Sequence, residues 1–219
     1  MKPRTSYIWG KVLIYAGVLA LLMSAGILAY NIRNETRAAK SAARVTQIFF
    51  ERIEDNKSQN PVDPLHSGQT GDDLPLNQTE DDNNNLENTD LFIEIDGERY
   101  IGILSIPVLS LELPINISLN ESRLNETPCR YVGNISDSLV IAGHNYRKHF
   151  SSLSKLELGD LVILMDAAGV NHLYIVEKLE TINATDIDAM LDGSYGLTLF
   201  TCNYSGMARV AVRCVKYNP

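Results

Sequence analysis

Two side chains near the C-terminal end of the sequence could carry out thiol chemistry. Cys202 ends a short apolar run at residues 197–202, and Arg209 opens a second run that continues to residue 215. If the two runs form a hairpin, the connection brings Arg209 back towards the thiol. A guanidinium there stays protonated near neutral pH and can donate to a developing oxyanion. The alternative is that Cys202 is simply a small buried apolar residue, which is the commoner role of a lone cysteine.

A nucleophilic cysteine also needs a proton-transfer partner, because a free thiol with a pKa near ~8.5 is only slightly ionised at neutral pH. His144 directly follows an apolar run at residues 139–142 and a glycine, which places it at a strand end. His66 lies in a polar segment, His149 follows two basic residues at a predicted helix start, and His172 begins a predicted strand. His144 is therefore the predicted base, and a loop histidine bonded to the backbone is the alternative.

Composition limits the remaining classes of function. The chain has 219 residues, 45% of them hydrophobic, and a formal net charge of −8, so one folded domain with appendages is expected. This acidity argues against a nucleic-acid partner, which requires a basic face. The 3 cysteines form no CxxC pair, and no histidine cluster has metal-ligand spacing, so the sequence predicts no zinc site and no cofactor.

The N-terminal part of the chain predicts a membrane anchor followed by a helix. Residues 12–30 carry no charge, and a helix rising about 1.5 Å per residue over them spans close to the ~30 Å hydrocarbon core. Residues 1–30 are thus a predicted cytoplasmic tip and transmembrane helix, although basic residues flank both sides and charge alone leaves orientation open. A cleaved signal peptide is the alternative. Residues 31–55 predict a juxtamembrane helix that pairs with a neighbour or lies on the bilayer.

Beyond this helix the composition changes twice. Residues 56–90 are acidic and rich in turn residues, which predicts a disordered linker. Residues 91–219 contain short runs of Ile, Leu and Val, which predict a mostly β domain, closed or nearly closed into a barrel. The dipeptide Asp96-Gly97 predicts a hairpin. Further strands are expected at residues 111–117, 138–142, 161–165, 173–176, 197–200 and 210–215, and short helices at residues 151–156 and 186–191.

Four segments of this domain resemble the sortase family. TLFTC at residues 198–202 is similar to the family's TLxTC signature and is followed, as in that family, by an arginine that opens a strand, here Arg209. VIAGH at residues 140–144 resembles the strand that ends in the catalytic histidine. LELGD at residues 156–160 and IGILSIPVLSLELPI at residues 101–115 resemble framework segments. The resemblance covers roughly residues 91–219 in the family's order.

The resemblance implies a sortase-type closed β-barrel with short helices, preceded by an N-terminal transmembrane helix. It implies a membrane-anchored cysteine transpeptidase, a thiol protease-like hydrolase or transferase, on a Gram-positive cell surface. Cys202 would attack the Thr–Gly bond of an LPxTG-like sorting signal, His144 would transfer protons, Arg209 would steady the carbonyl, and Thr201 would assist substrate binding. The partners would be surface proteins or pilins with a C-terminal sorting signal, an amine acceptor of the cell-wall precursor or a pilin, and membrane lipid around a single-pass anchor with an extracytoplasmic domain.

Several points stay open within this interpretation. The single N-terminal anchor is nearest to classes D and B, and residues 180–196 match the position of the family's specificity loop. An exported domain with an odd number of cysteines could pair Cys129 with Cys214 and leave Cys202 free. Arg213 has a plain alternative as a solvated arginine on an edge strand. A hydrolysing cysteine peptidase and a tethered β-barrel binding module with a structural Cys202 are the alternative functions.

Overall fold

A long N-terminal helix dominates one side of the computed structural model, which describes residues 4–59, 91–203 and 206–218. The helix α1 (Arg4–Gln59) is continuous across residues 30 and 55, the predicted boundaries of the anchor and the juxtamembrane helix. Its first half is exposed on all sides from residue 9 to residue 33 and is long and apolar enough to cross a membrane. Most of the predicted linker, together with His66, falls at residues 60–90, outside the described residues.

The second half of α1 packs against the β domain. Its buried residues recur every three or four positions, so they form one stripe along the helix. The stripe comprises Ala38, Ala42, Val45, Phe49 and Ile53. Phe49 is fully buried in a cluster with strand residues such as Ile95 and Ile103. Since both sequence-based alternatives placed this helix away from its own domain, its docking on the barrel is a finding of the structure.

The β domain is a barrel of short strands with short helical connections, as predicted. The elements after α1 are β1 (Ile93–Ile95), β2 (Glu98–Ile106), β3 (Leu111–Asn116), α2 (Glu121–Leu124), β4 (Cys129–Gly133), β5 (Leu139–Ala142), β6 (Leu161–Asp166), β7 (Asn171–Asn183), α3 (Ile187–Met190), β8 (Leu197–Cys202) and β9 (Ala208–Lys216). Single 3₁₀ segments occur at Pro107–Leu109 and Phe150–Lys155. The predicted Asp96-Gly97 hairpin is confirmed, with left-handed φ angles of 54° and 79° at the two residues.

The strand order closes the barrel. Around it the strands follow the order β2, β3, β4, β5, β8, β9, β7 and β6, and β6 pairs back to β2, while β1 extends β2 as a hairpin. The predicted closed, mostly β fold is therefore confirmed. Most neighbours are antiparallel, but the pairs β3–β4 and β5–β8 are parallel. Because parallel strands end at the same rim, the residues that follow β5 and β8 meet at one end of the barrel.

Candidate active site

The candidate site lies at the rim where β5 and β8 end together. Ala142 pairs with Phe200, and the amide of Gly143 extends the ladder by donating to the Phe200 carbonyl at 3.0 Å. His144 and Cys202 each follow this pair by two residues, so both lie at the rim where β5 and β8 end. All four residues of β5 are buried, with Leu139 and Ile141 in the barrel core, which fixes the strand that leads to His144.

Arg209 joins the same rim from the next strand. It is the register partner of Cys202 across the antiparallel pair of β8 and β9, and directly opposed residues share one face of a sheet. The half-buried Arg209 donates from Nη1 to the carbonyls of Gly206 at 3.2 Å and Ala208 at 3.4 Å. The structure therefore brings all three predicted reactive residues to one edge, with the guanidinium held on the β8–β9 connection.

The environment of His144 favours a neutral imidazole. Burial lowers the pKa of His144, and the nearby Glu121 carboxylate opposes this only in part. Its Nε2 atom is buried and has no hydrogen-bond partner among the residues that the structure describes. A neutral imidazole with one free nitrogen can accept a thiol proton.

Tyr146 supports His144 from the loop that follows it. The two ring centroids are 4.8 Å apart at an interplanar angle of 32°, and the Tyr146 hydroxyl donates to Asn125 Oδ1 at 3.2 Å. Asn125 is the C-terminal cap residue of α2, whose first turn is held by Asn120 accepting from the amide of Arg123. This chain of contacts ties residues 143–149, the histidine loop, to α2. It was not predicted from the sequence, although the aromatic at residue 146 was an available signal.

The buried rings of His149 and Phe150 hold the C-terminal end of the histidine loop. Gly143 must be glycine, since a Cβ there would lie 2.5 Å from the fully buried Phe150 ring. His149 is also fully buried, and its ring lies 5.5 Å from that of Tyr146. Burial, and secondarily the neighbouring His144, lowers the pKa of His149 to about 4. His149 is thus a neutral packing residue that directly precedes the 3₁₀ segment Phe150–Lys155, at the predicted helix start.

Thr201 and Arg213 lie beneath the rim. Thr201 is 3% exposed, and it shares strand parity with Leu199, which lies in the barrel core, so its hydroxyl faces inward. Only its backbone is available at the rim. Arg213 is fully buried on β9, between β8 and β7, which corrects its interpretation as a solvated edge residue. It donates to Glu180 Oε1 at 2.8 Å and Thr198 Oγ1 at 3.0 Å.

The three cysteines differ in environment, and all are free thiols. Cys129 on β4 and Cys214 on β9 are buried and separated by β5 and β8, so the pairing that the sequence left open is not formed in this structure. Burial raises the pKa of each of these two thiols to about 12. Cys202 is partly exposed, so it is the accessible thiol of the three.

The remaining described histidine has a structural partner. His172 on β7 lies 2.7 Å from Asp166, where its Nε2 contacts Oδ2. The same carboxylate accepts from the amides of Ala168 and Val170 and closes the turn between β6 and β7. His172 therefore belongs to a turn and not to the rim.

Comparison with known proteins identifies the family. The sortase domain model matches residues 104–217, more than half of the chain, and the chain belongs to the sortase family. It is 30% identical over 115 residues to Sortase A of Bacillus anthracis, a match covering 49% of this chain and 54% of that protein. The matched region thus spans about half of this relative's length.

Solved structures show the same fold. Sortase A from Corynebacterium diphtheriae has a TM-score of 0.50 at 22% identity, covering 56% of this chain and 62% of that chain. Sortase C from Streptococcus pneumoniae has a TM-score of 0.50 at 24% identity, covering 57% of this chain and 69% of that chain. These likenesses extend to the barrel and leave the class of sortase open.

Proposed function

We propose that this protein is a membrane-anchored sortase, a cysteine transpeptidase that acts on LPxTG-like sorting signals of surface proteins or pilins. The observation that carries the proposal is the register at the rim: the strands that lead to His144 and Cys202 pair up to Ala142 and Phe200, and Cys202 pairs with Arg209. Membership of the sortase family supports the reaction type. The long apolar first half of α1 supports the single-pass anchor, and substrates on the cell surface would require the barrel to lie outside the cytoplasm.

The first half-reaction would form a thioester. The Cys202 thiol gives its proton to His144, and the thiolate attacks the carbonyl carbon of the threonine in the sorting signal. The oxyanion that develops would be stabilised by Arg209 after its guanidinium exchanges a loop carbonyl for the substrate oxygen. The Thr–Gly carbon–nitrogen bond then breaks, and the leaving amine takes the proton from His144. Thr201 would contribute through its backbone, since its hydroxyl faces the core.

The second half-reaction would return the enzyme to its starting state. An amine of a cell-wall precursor or a pilin attacks the thioester and loses a proton to His144, which passes it to the departing Cys202 sulfur. His144 thus alternates between acid and base, and a pKa lowered by burial suits it to begin as the base. Water as the acceptor would give hydrolysis instead, so the partition between amine and water defines the enzyme as a transferase.

The test is a product assay with the full chain in detergent. A library of sorting-signal peptides is incubated with an added amine, either oligoglycine or a diaminopimelate peptide, and products are identified by mass spectrometry. The proposal predicts amine-linked product that disappears in Cys202→Ala and persists in the matched control Cys129→Ala. Product formed equally by Cys202→Ala would overturn the assignment, and hydrolysis alone at saturating amine would overturn transfer.

A further inference from the structure

A groove lies between residues 28–40 of α1 and the loop that carries His144. It has a volume of about 660 Å³ and joins one face of the helix to the barrel. The helix contributes apolar surface through Leu28, Ile32 and Ala39, and it contributes one cation through Lys40. The barrel contributes two more cations, which are Arg147 and Lys148. The groove thus combines an apolar floor with a positive rim, against a single carboxylate at Glu35.

The position of the groove along α1 relates it to the membrane. Tyr30 ends the uncharged stretch, and Trp9 precedes it by three residues, just before Lys11; the two side chains are 66% and 64% exposed. They are separated by about 31 Å at the ordinary helical rise, which matches the ~30 Å hydrocarbon core between two interfacial aromatic belts. The bilayer surface therefore falls close to Tyr30, and the groove, which includes Leu28 and Ile32, straddles that surface.

The barrel cations consequently lie at the level of the lipid headgroups. Arg147 and Lys148 are exposed and contact the same groove as Leu28, which lies within the uncharged stretch. Arg33 and Arg37 follow the stretch on α1 and add to the positive charge at this level. Clustered cations next to a membrane helix attract anionic headgroups, while the apolar floor suits the adjoining acyl chain.

We propose that this groove docks the histidine loop on anionic lipid of the bilayer that surrounds α1. The proposal rests on the membrane anchor of the proposed function. Docking holds residues 144–148 at the membrane surface. The rim with His144 and Cys202 then meets its substrates next to the bilayer, whereas a barrel on a free tether could meet them farther from it. The specific occupant is a phospholipid with a net negative headgroup.

Hydrogen exchange of the full chain in nanodiscs tests the docking. One set of discs contains phosphatidylcholine alone, and the other adds phosphatidylglycerol. Anionic lipid is expected to slow exchange of the amides at residues 145–151 by roughly tenfold, because two barrel cations gain headgroup contacts. High salt should remove most of this protection. Equal exchange of this segment in the two kinds of disc would overturn the proposal.

Charge reversal provides the matched comparison. The variant Arg147→Glu/Lys148→Glu should lose the lipid-dependent protection, whereas Arg52→Glu/Lys155→Glu, with the same charge change at exposed positions outside the groove, should keep it. Equal loss in both variants would show a general charge effect and contradict a defined groove. Exchange in β8 serves as the measure that each variant is folded.

The outcome is separable from that of the proposed function. Thioester formation with soluble peptide is measured separately, on the wild-type protein in detergent. If the protection is present and no thioester forms, docking stands and the sortase reaction fails. If thioester forms and the protection is absent, the reaction stands and docking fails.

Discussion

Replacing Arg213 with methionine tests the account of how the rim is held. The Arg213 side chain is 1% exposed and joins β9 to Glu180 of β7, Thr198 of β8 and the backbone of α3. It donates to the Met190 carbonyl at 3.0 Å and also to the Ala189 carbonyl. Methionine keeps the aliphatic stem and removes every one of these hydrogen bonds. The segment between β7 and β8 would then lose the hydrogen bonds that join it to β9.

The magnitude follows from what the substitution leaves behind. Removing one partner of a buried ion pair costs about 3 to 5 kcal/mol, chiefly because the remaining polar groups are unpaired. The Glu180 side chain is 24% exposed and keeps its ion pair with Lys178, whose Nζ lies 2.6 Å from Oε2, so its carboxylate stays paired. Burial raises the pKa of Glu180, but the hydrogen bonds from Lys178 and Arg213 together lower it below its usual value. Because Glu180 stays paired, we expect Arg213→Met to cost about 3 kcal/mol, the low end of this range, mainly from the unpaired Thr198 hydroxyl and α3 carbonyls.

The assay is urea unfolding of the full chain in detergent, followed by near-ultraviolet circular dichroism of its 10 tyrosines. The matched control is Lys216→Met on the same strand, where one exposed hydrogen bond to Ser136 is lost and about 1 kcal/mol or less is expected. A cost below about 1 kcal/mol for Arg213→Met, equal to that of the control, would refute the reasoning. Hydrogen exchange near α3 should rise in Arg213→Met alone.

Four further outcomes are expected. Gly143→Ala should destabilise the fold by about 1 to 3 kcal/mol, measured by urea unfolding, because its Cβ meets the Phe150 ring, and no loss would contradict this crowding. His149→Phe should weaken the dependence of the thermal midpoint on pH. The pKa of His149 is lowered to about 4 in the folded state, so the wild type loses up to about 3 kcal/mol of stability as pH falls from ~6.5 to about 4. An unchanged pH dependence in the variant would contradict this. Alkylation of the denatured, unreduced chain should modify all 3 cysteines, and modification of a single cysteine would indicate a disulfide between the other two. Phe49→Ala should speed amide hydrogen exchange in the second half of α1, because the lost packing costs about 3 to 5 kcal/mol. Unchanged exchange there would argue against docking of α1 on the barrel.

Much of the barrel is predictable because its strands carry local signals. The run that becomes β5 is apolar throughout and the run that becomes β8 is mostly apolar with two threonines, as expected for strands buried on both faces. The strand β4 and the helix α2 were missed. β4 has mostly exposed residues and pairs with β3 at a single position, so its sequence has little alternation to detect. α2 is a single turn, too short to show a period.

The reactive residues were predictable, whereas their supports were not. Cys202, His144 and Arg209 each stand at a recognisable strand end, and strand pairing brings them to one rim. Arg213 is buried because α3 packs over it, and His149 is buried because the histidine loop folds Tyr146 against it. No local sequence pattern encodes either contact. The same is true of α1, whose apolar stripe indicates a packed face without identifying its partner.

The central claim is that Cys202 is the nucleophile of a sortase reaction. The most direct measurement is intact-protein mass spectrometry of the full chain after incubation with sorting-signal peptides, followed by peptide mapping of any adduct. The account predicts a thioacyl adduct on Cys202 that equals the peptide cleaved after threonine, accumulates in wild type and is absent from Cys202→Ala. An adduct on Cys129 or Cys214, or none across the peptide library in folded protein, would contradict the account.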